Sequence, residues 1–398
     1  MEEAQHFSWL VCALSEAKGM IKNMKNKVCI VTWFGGTNYG TNLQAYALLE
    51  ELRLLGYDPR MKGSITGNIN YLLHPNLVLN RIFTRFKLKL ESKKGKVNIA
   101  NKLKQQKFTE FCNEYFPLLN SHGKKEWNEV EKEYIAFITG SDQVWNPNYF
   151  QSMMMLDFVK SKKIKKIAYA PSIGVSKLSY LTRRKYKRLL SSYSAIAMRE
   201  QKATKILSDI SPVKVKTVLD PTLLLDCDNW NKIADKAEID DYLDIGKPYV
   251  LCYFVGNRKS YADYIRLVKT ETGLNCVIIP MEIDLSDCGT VARNIGPKEF
   301  VFLIKNAEII CTDSFHATVF SILYKKEFYV LKRFDDNSKK SQNGRLDEIL
   351  ETYGLGKRYI KDEKSFERNK NIDYNFVHNL LNENRKFSQE YLRESLER

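Results

Sequence analysis

At 398 residues, with 44% hydrophobic and 12% aromatic residues, the chain is too long for one ordinary core and too apolar to be disordered, so two domains are expected. A formal net charge of +16 favours an acidic partner (a phosphorylated substrate, a nucleic acid or an anionic membrane surface) and says nothing of fold. Eight cysteines lie scattered at 12, 29, 112, 227, 252, 276, 288 and 311, without CxxC or zinc spacing, which excludes a zinc module and suits a reducing cytoplasm.

The first residues carry Glu2 and Glu3 where a secretion signal is basic, and their apolar patch is too short to span a bilayer. Residues 1–26 read as an extension, because regular patterning begins at Lys27. VCIVTWF (28–34) is a strand, and LQAYALLEELRLLG (43–56) is an amphipathic helix stopped by Gly56. The segment 81–107 holds ten Lys/Arg and one acid, interleaved with Ile82, Phe83, Phe86, Leu88 and Leu90. It reads either as a solvated helical insertion or as a basic amphipathic surface for anionic lipid; no nucleic-acid recognition motif accompanies it. AFITGS (136–141), KIAYAPSI (166–173) and AIAMRE (195–200) read as strands that run into polar residues, and TVLDPTLLL (217–225) closes this half. A second series follows after Lys247-Pro248: YVLCYFVG (249–256), NCVIIP (275–280), EIICTDS (308–314) and EFYVLKR (327–333).

Strand–helix alternation predicts α/β architecture with parallel sheets covered on both faces. Two series in tandem predict two Rossmann-like domains, 27–240 and 241–360, with a central cleft and a charged helical tail over 361–398. Ligands in such folds sit outside the carboxyl ends of the strands, so polar strand-end residues are the candidates.

The first such group is Gly35-Gly36-Thr37-Asn38-Tyr39-Gly40-Thr41-Asn42, followed by Gln44. It is neither a dinucleotide fingerprint, since Thr37 stands where Gly is needed, nor a Walker A loop, since Thr41 stands where Lys is needed. The second is Ser141-Asp142-Gln143-Val144-Trp145-Asn146, which reads equally as a sugar-holding indole amid amides and carboxylates or as a helix cap with Trp145 in the core. Arg199 can clamp a phosphate or carboxylate with its planar fork, or pair with Glu200. Asp220 before Pro221 reads as a turn. His316 ends the polar cluster inside the run CTDSFHATVF (311–320); an imidazole there can deliver a proton, with Asp313 setting its tautomer or capping the following helix.

Taken in order, NYGTNLQAYAL (38–48), FITGSDQVWNP (137–147), AYAPSIG (168–174), AMREQKA (197–203), VLDPTLLL (218–225), TDSFHATVFSIL (312–323) and NGRLDEIL (343–350) resemble the polysaccharide pyruvyl transferase family. The resemblance implies a glycosyltransferase-B-like fold of two Rossmann-like domains. It also implies transfer of the pyruvyl group of phosphoenolpyruvate onto two hydroxyls of a sugar, forming a ketal on a capsular or exopolysaccharide precursor that is often lipid-linked. His316 then matches the general acid, and Arg199, Ser314, Arg333 and Arg345 the donor-binding positions. Asn38, Asn42, Gln44, Ser141, Asp142, Gln143, Trp145 and Asn146 are the positions expected to face the acceptor. No metal or cofactor is implied, and the place of action is cytoplasmic, with peripheral contact at an anionic membrane as an option.

One departure stands out. Family members commonly read Arg-Leu-His or Arg-Tyr-His where this chain reads Ser314-Phe315-His316. Either Arg293, Arg333 or Arg345 supplies the missing charge, or the donor differs. A nucleotide-sugar glycosyltransferase and a non-catalytic glycan- or membrane-binding relative are the alternatives.

Overall fold

The computed structural model describes residues 26–65, 95–119, 129–334, 344–360, 364, 366–369 and 371–397. The extension read over 1–26 lies outside them apart from Asn26, as does most of the basic segment, 81–94.

The first half runs β1 (Lys27–Phe34), α1 (Tyr39–Leu54), β2 (Asp58–Ile65), α2 (Gly95–Tyr115), β3 (Ala136–Thr139), β4 (Lys165–Tyr169), α3 (Tyr180–Leu190), β5 (Ala195–Met198), α4 (Gln201–Ser208), β6 (Val215–Thr217) and α5 (Cys227–Ala234). Its six strands form one parallel sheet, ordered β2-β1-β3-β4-β5-β6. The second half runs β7 (Tyr249–Tyr253), α6 (Ser260–Thr272), β8 (Asn275–Ile279), β9 (Thr290–Val291), α7 (Pro297–Asn306), β10 (Ile309–Thr312), α8 (Phe315–Leu323), β11 (Glu327–Val330) and α9 (Gly344–Thr352). Its sheet is also parallel, ordered β11-β10-β7-β8-β9. The inner strands β3, β7 and β10 are short apolar runs buried at every position, as sheets covered on both faces require. These are two Rossmann-like domains.

In each sheet the strand order reverses once, between β1 and β3 and between β7 and β10. Those switch points open the crevices where ligands bind. The two crevices meet at one place, because residues of one domain plug into the other. Tyr39, entering α1, is fully buried, stacks on Phe300 of α7 at 4.6 Å and donates a hydrogen bond to the Ile295 carbonyl. Trp230 of α5 packs edge-on against Phe320 of α8 at 4.7 Å.

The end of the basic segment joins this seam. Lys107 of α2 pairs with the buried Glu299 at 2.9 Å, and Lys104 lies over the Tyr39 ring at 4.9 Å. Burial pushes the Lys104 amine down to about 8. These two lysines of the segment therefore face the second domain rather than water or a lipid surface.

The final helix, α10 (Tyr374–Glu397), returns to the first domain. It buries Leu381, Leu392 and Leu396, and it stitches the turn after β6: Ser388 Oγ accepts from the Leu219 N–H, and Arg385 Nε donates to the Leu223 carbonyl.

Candidate functional site

The loop after β1 reaches its shape through Asn42, which is fully buried. Its amide donates to the Gly36 and Asn38 carbonyls and its oxygen accepts from Gly35, whose φ of +81° suits a residue without Cβ. Asn38 caps α1 by accepting from the Thr41 N–H, and the buried Gln44 donates to Thr32, Trp33 and Thr41. These three candidates for sugar contact therefore have their side chains engaged in holding the loop. The result is a bare backbone at Gly40.

His316 fills that space. It stands in the first turn of α8, whose N-cap is Ser314; the Ser314 hydroxyl accepts from the Ala317 N–H. A Cβ on Gly40 would fall 1.9 Å from His316 Nδ1, so only glycine admits the ring. The other ring nitrogen, Nε2, is buried without a hydrogen-bond partner and lies 3.8 Å from Asp220 Oδ2. Burial lowers the imidazole pKa; Asp220 and Asp142 act to raise it, and Arg199 and Arg345 to lower it further.

Asp220 is the hub. Its Oδ2 accepts from Ser141 Oγ and Arg199 Nη1, each at 2.8 Å, and its Oδ1 accepts from the Thr222 N–H and hydroxyl. Burial alone would raise its pKa, but His316, Arg199 and Thr222 outweigh that and hold it at about 2. Arg199, at the end of β5, is buried; its Nε donates to Glu200 and its Nη2 has no partner. Burial opposes its charge, but Glu200, Asp220 and Asp142 hold it protonated. The Phe315 ring lies between two guanidiniums, 4.6 Å from that of Arg199 and 6.0 Å from that of Arg345. Desolvation and the neighbouring Arg199 bring Arg345 down to about 10, still charged at neutral pH. A cavity of about 250 Å³ is lined by Arg199, Glu200, Asp220, Phe315 and Arg345, together with Phe387 of α10.

Other candidates lie elsewhere or have other tasks. Arg333 is clamped to Asp313, with Nε 3.2 Å from Oδ2 and Nη2 2.9 Å from the Asp313 carbonyl. Asp313 also accepts from Val255, Gly256 and the Tyr261 hydroxyl, so it neither caps α8 nor touches the imidazole. Arg293 is exposed.

Trp145 corrects the sugar-stacking reading. It is fully buried, donates from Nε1 to the Met154 carbonyl and packs edge-on against Tyr193, so no ring face is open to a ligand. Asn146 is buried too; it bonds Gln143 and caps the short turn Pro147–Tyr149. Asp142 adopts φ +69° and accepts from Thr41 at 2.6 Å, closing the β1/β3 crevice beside the imidazole. It and Gln143 are half-buried. Among the described residues no group of three or more His, Cys, Asp or Glu side chains could hold a metal ion.

Sequence reasoning gave Asp220 a turn and Glu200 a salt bridge, and missed that both line the cavity. The signal was their position: each follows a strand of the first domain, as Arg199 does.

No curated protein matches the chain in sequence. Among solved structures the chain is similar to the UDP-GlcNAc 2-epimerase from Neisseria meningitidis, with 14% identity, 92% of this chain and 99% of that one covered, and a TM-score of 0.44. It is also similar to a glycosyltransferase from Rickettsia africae, at 12% identity over 92% and 98% of the two chains and a TM-score of 0.44. Likeness at this level says nothing of substrate. The family model described as polysaccharide pyruvyl transferase matches residues 38–335, from the first residue of the α1 cap to just past β11. That span takes in both crevices and, except for Arg345, every member of the histidine cluster: the chain belongs to the polysaccharide pyruvyl transferase family.

Proposed function

We propose that the cavity at Arg199, Phe315 and Arg345 takes phosphoenolpyruvate and that His316 protonates its methylene carbon. The observation that carries this reading is the imidazole seated on Gly40, with an unpartnered Nε2 beside Asp220, a carboxylate that lines a cavity together with two guanidiniums. Two fixed cations suit a small ligand with both a carboxylate and a phosphate. Arg345 stands in for the arginine that Ser314 replaces, while the Ser314 hydroxyl serves the helix cap.

His316 gives a proton to C3 of the enol phosphate, the carbon–carbon double bond becomes a methyl group, and C2 becomes electrophilic. One sugar hydroxyl attacks C2, and its proton restores the imidazolium. A second hydroxyl of the same sugar then attacks C2, the C–O bond to phosphate breaks, and inorganic phosphate leaves with that hydroxyl's proton. Asp220 offsets the burial of the imidazolium. Glu200 Oε2, buried without a partner, is a ready acceptor for a sugar hydroxyl. The acceptor is a sugar of a surface polysaccharide precursor.

Calorimetric titration of phosphoenolpyruvate, beside uridine diphosphate, tests the donor. Binding of phosphoenolpyruvate that weakens one to two powers of ten in Arg199→Ala is expected, the loss of a charge-assisted bond of about 1.5–3 kcal/mol. Binding of the nucleotide alone would overturn the donor assignment.

A further inference from the structure

Helix α3 has a construction that neither the fold nor the proposed chemistry uses. Its inner face buries Tyr186 and Leu190, and the Tyr186 hydroxyl donates to the Trp145 carbonyl. Its outer face is cationic without interruption: Arg183, Arg184, Lys185, Lys187 and Arg188, with no acid anywhere in the helix. Among the described residues, Arg183 alone of these five has a carboxylate partner, Asp209 at 3.2 Å. At the N-terminal tip, Tyr180 and Leu181 are 72% and 75% exposed, the two most exposed large apolar side chains among the described residues.

The spacing sorts these residues into two adjacent stripes. Positions four and three apart on a helix share a face, so Leu181, Lys185 and Arg188 form one stripe and Tyr180, Arg184 and Lys187 the other. Each stripe starts with an apolar residue and continues with two cations. An apolar tip followed by a cationic flank is the arrangement that meets a lipid–water interface: the tip enters at headgroup depth and the flank pairs with phosphates. A polyanion in water, such as a nucleic acid, would draw on the cations and leave Tyr180 and Leu181 without a role.

The tip also has a meaningful place. α3 follows β4, so Tyr180 and Leu181 stand on the edge where the strands of the first sheet end, the edge that carries Asp142 and Arg199. Tyr149, on the neighbouring strand-end segment, is half exposed, and Lys185 lies over the adjoining Phe150 ring at 3.3 Å.

We propose that α3 docks the protein on an anionic bilayer, with Tyr180 and Leu181 entering the headgroup layer and Arg184, Lys185, Lys187 and Arg188 pairing with lipid phosphates, so that the cleft opens toward the membrane surface. This differs from the lipid surface that is one of the two readings of 81–107, and it is independent of the donor.

The test is co-sedimentation of the full chain with vesicles of phosphatidylcholine alone and of phosphatidylcholine with phosphatidylglycerol. The expected result is binding only to the anionic vesicles, weakened by added salt. A Tyr180→Ser/Leu181→Ser variant and an Arg184→Gln/Lys185→Gln/Lys187→Gln/Arg188→Gln variant should each bind at least tenfold more weakly, with melting temperatures near that of the unaltered protein because all six side chains are exposed. Absence of binding by the unaltered protein would overturn the proposal. So would undiminished binding by the four-glutamine variant, which would move the contact to another basic segment. Loss in the glutamine variant alone would also overturn it, by reducing the surface to non-specific charge. Neither phosphoenolpyruvate nor a sugar is present, so failure here leaves the donor assignment standing.

Discussion

Among the described residues two buried aspartates each hold an arginine, one in each domain, and the two pairs have opposite uses. Asp313 lies three residues from His316 in sequence, yet it spends its oxygens on Arg333, on two backbone N–H groups and on the Tyr261 hydroxyl. It ties the end of β7 to the segment after β11. Asp220 lies in the other domain, yet it is the carboxylate that faces the imidazole, and its arginine retains an unpartnered Nη2. The lesson is that closeness in sequence places the structural pair and domain packing places the functional one.

Variants that break each side would sharpen this contrast. The largest effect is expected from His316→Gln: turnover measured by acceptor-dependent phosphate release should fall by roughly 10²–10⁴-fold, the usual contribution of a general acid, with the fold intact by circular dichroism. Retained turnover would remove the imidazole from the chemistry.

Asp220→Asn comes next and should act on two readouts. Removing one partner of a buried ion pair costs about 3–5 kcal/mol of stability, measurable by urea unfolding. The Asp220 carboxyl is held at about 2, below its unfolded value of roughly 3.9, so its stabilisation is full above that value and is lost as pH falls toward 2. The variant should lose that acid limb. On the proposed mechanism the imidazole must be protonated to act, and its pKa is lowered by burial, so kcat/KM should fall as pH rises, with its midpoint below the ordinary histidine range. Without Asp220 the imidazole pKa drops further and this falling limb should move to lower pH. A limb that stays in place would separate Asp220 from the proton.

Arg333→Gln gives the smallest effect on function. Its side chain is partly exposed, so the stability loss should be about 1–3 kcal/mol, with phosphoenolpyruvate affinity and the pH limb unchanged. A tenfold loss of donor affinity would restore Arg333 to the site.

Much of this was readable from the chain. The strands announced themselves as β-branched runs, and His316 through its polar setting at a strand end. β2 did not, because Pro59 and Gly63 interrupt its pattern; Pro is tolerated there because β2 is an edge strand. Trp145 read equally as sugar platform and as core, because what decides is the Met154 carbonyl, supplied by an irregular segment nine residues on. Gly40, Asp220 and His316 each look ordinary alone. Their meeting depends on Tyr39, Trp230 and Lys107 fastening one domain to the other, and no local pattern records that.

The stitches made by α10 have a consequence in time. The turn that carries Asp220 takes one hydrogen bond from Arg385 and gives one to Ser388. During synthesis, both sheets and His316 emerge from the ribosome before these residues do. The turn beside the imidazole thus gains these two supports only after both sheets have been made, so the last adjustment of that turn is tied to the docking of α10.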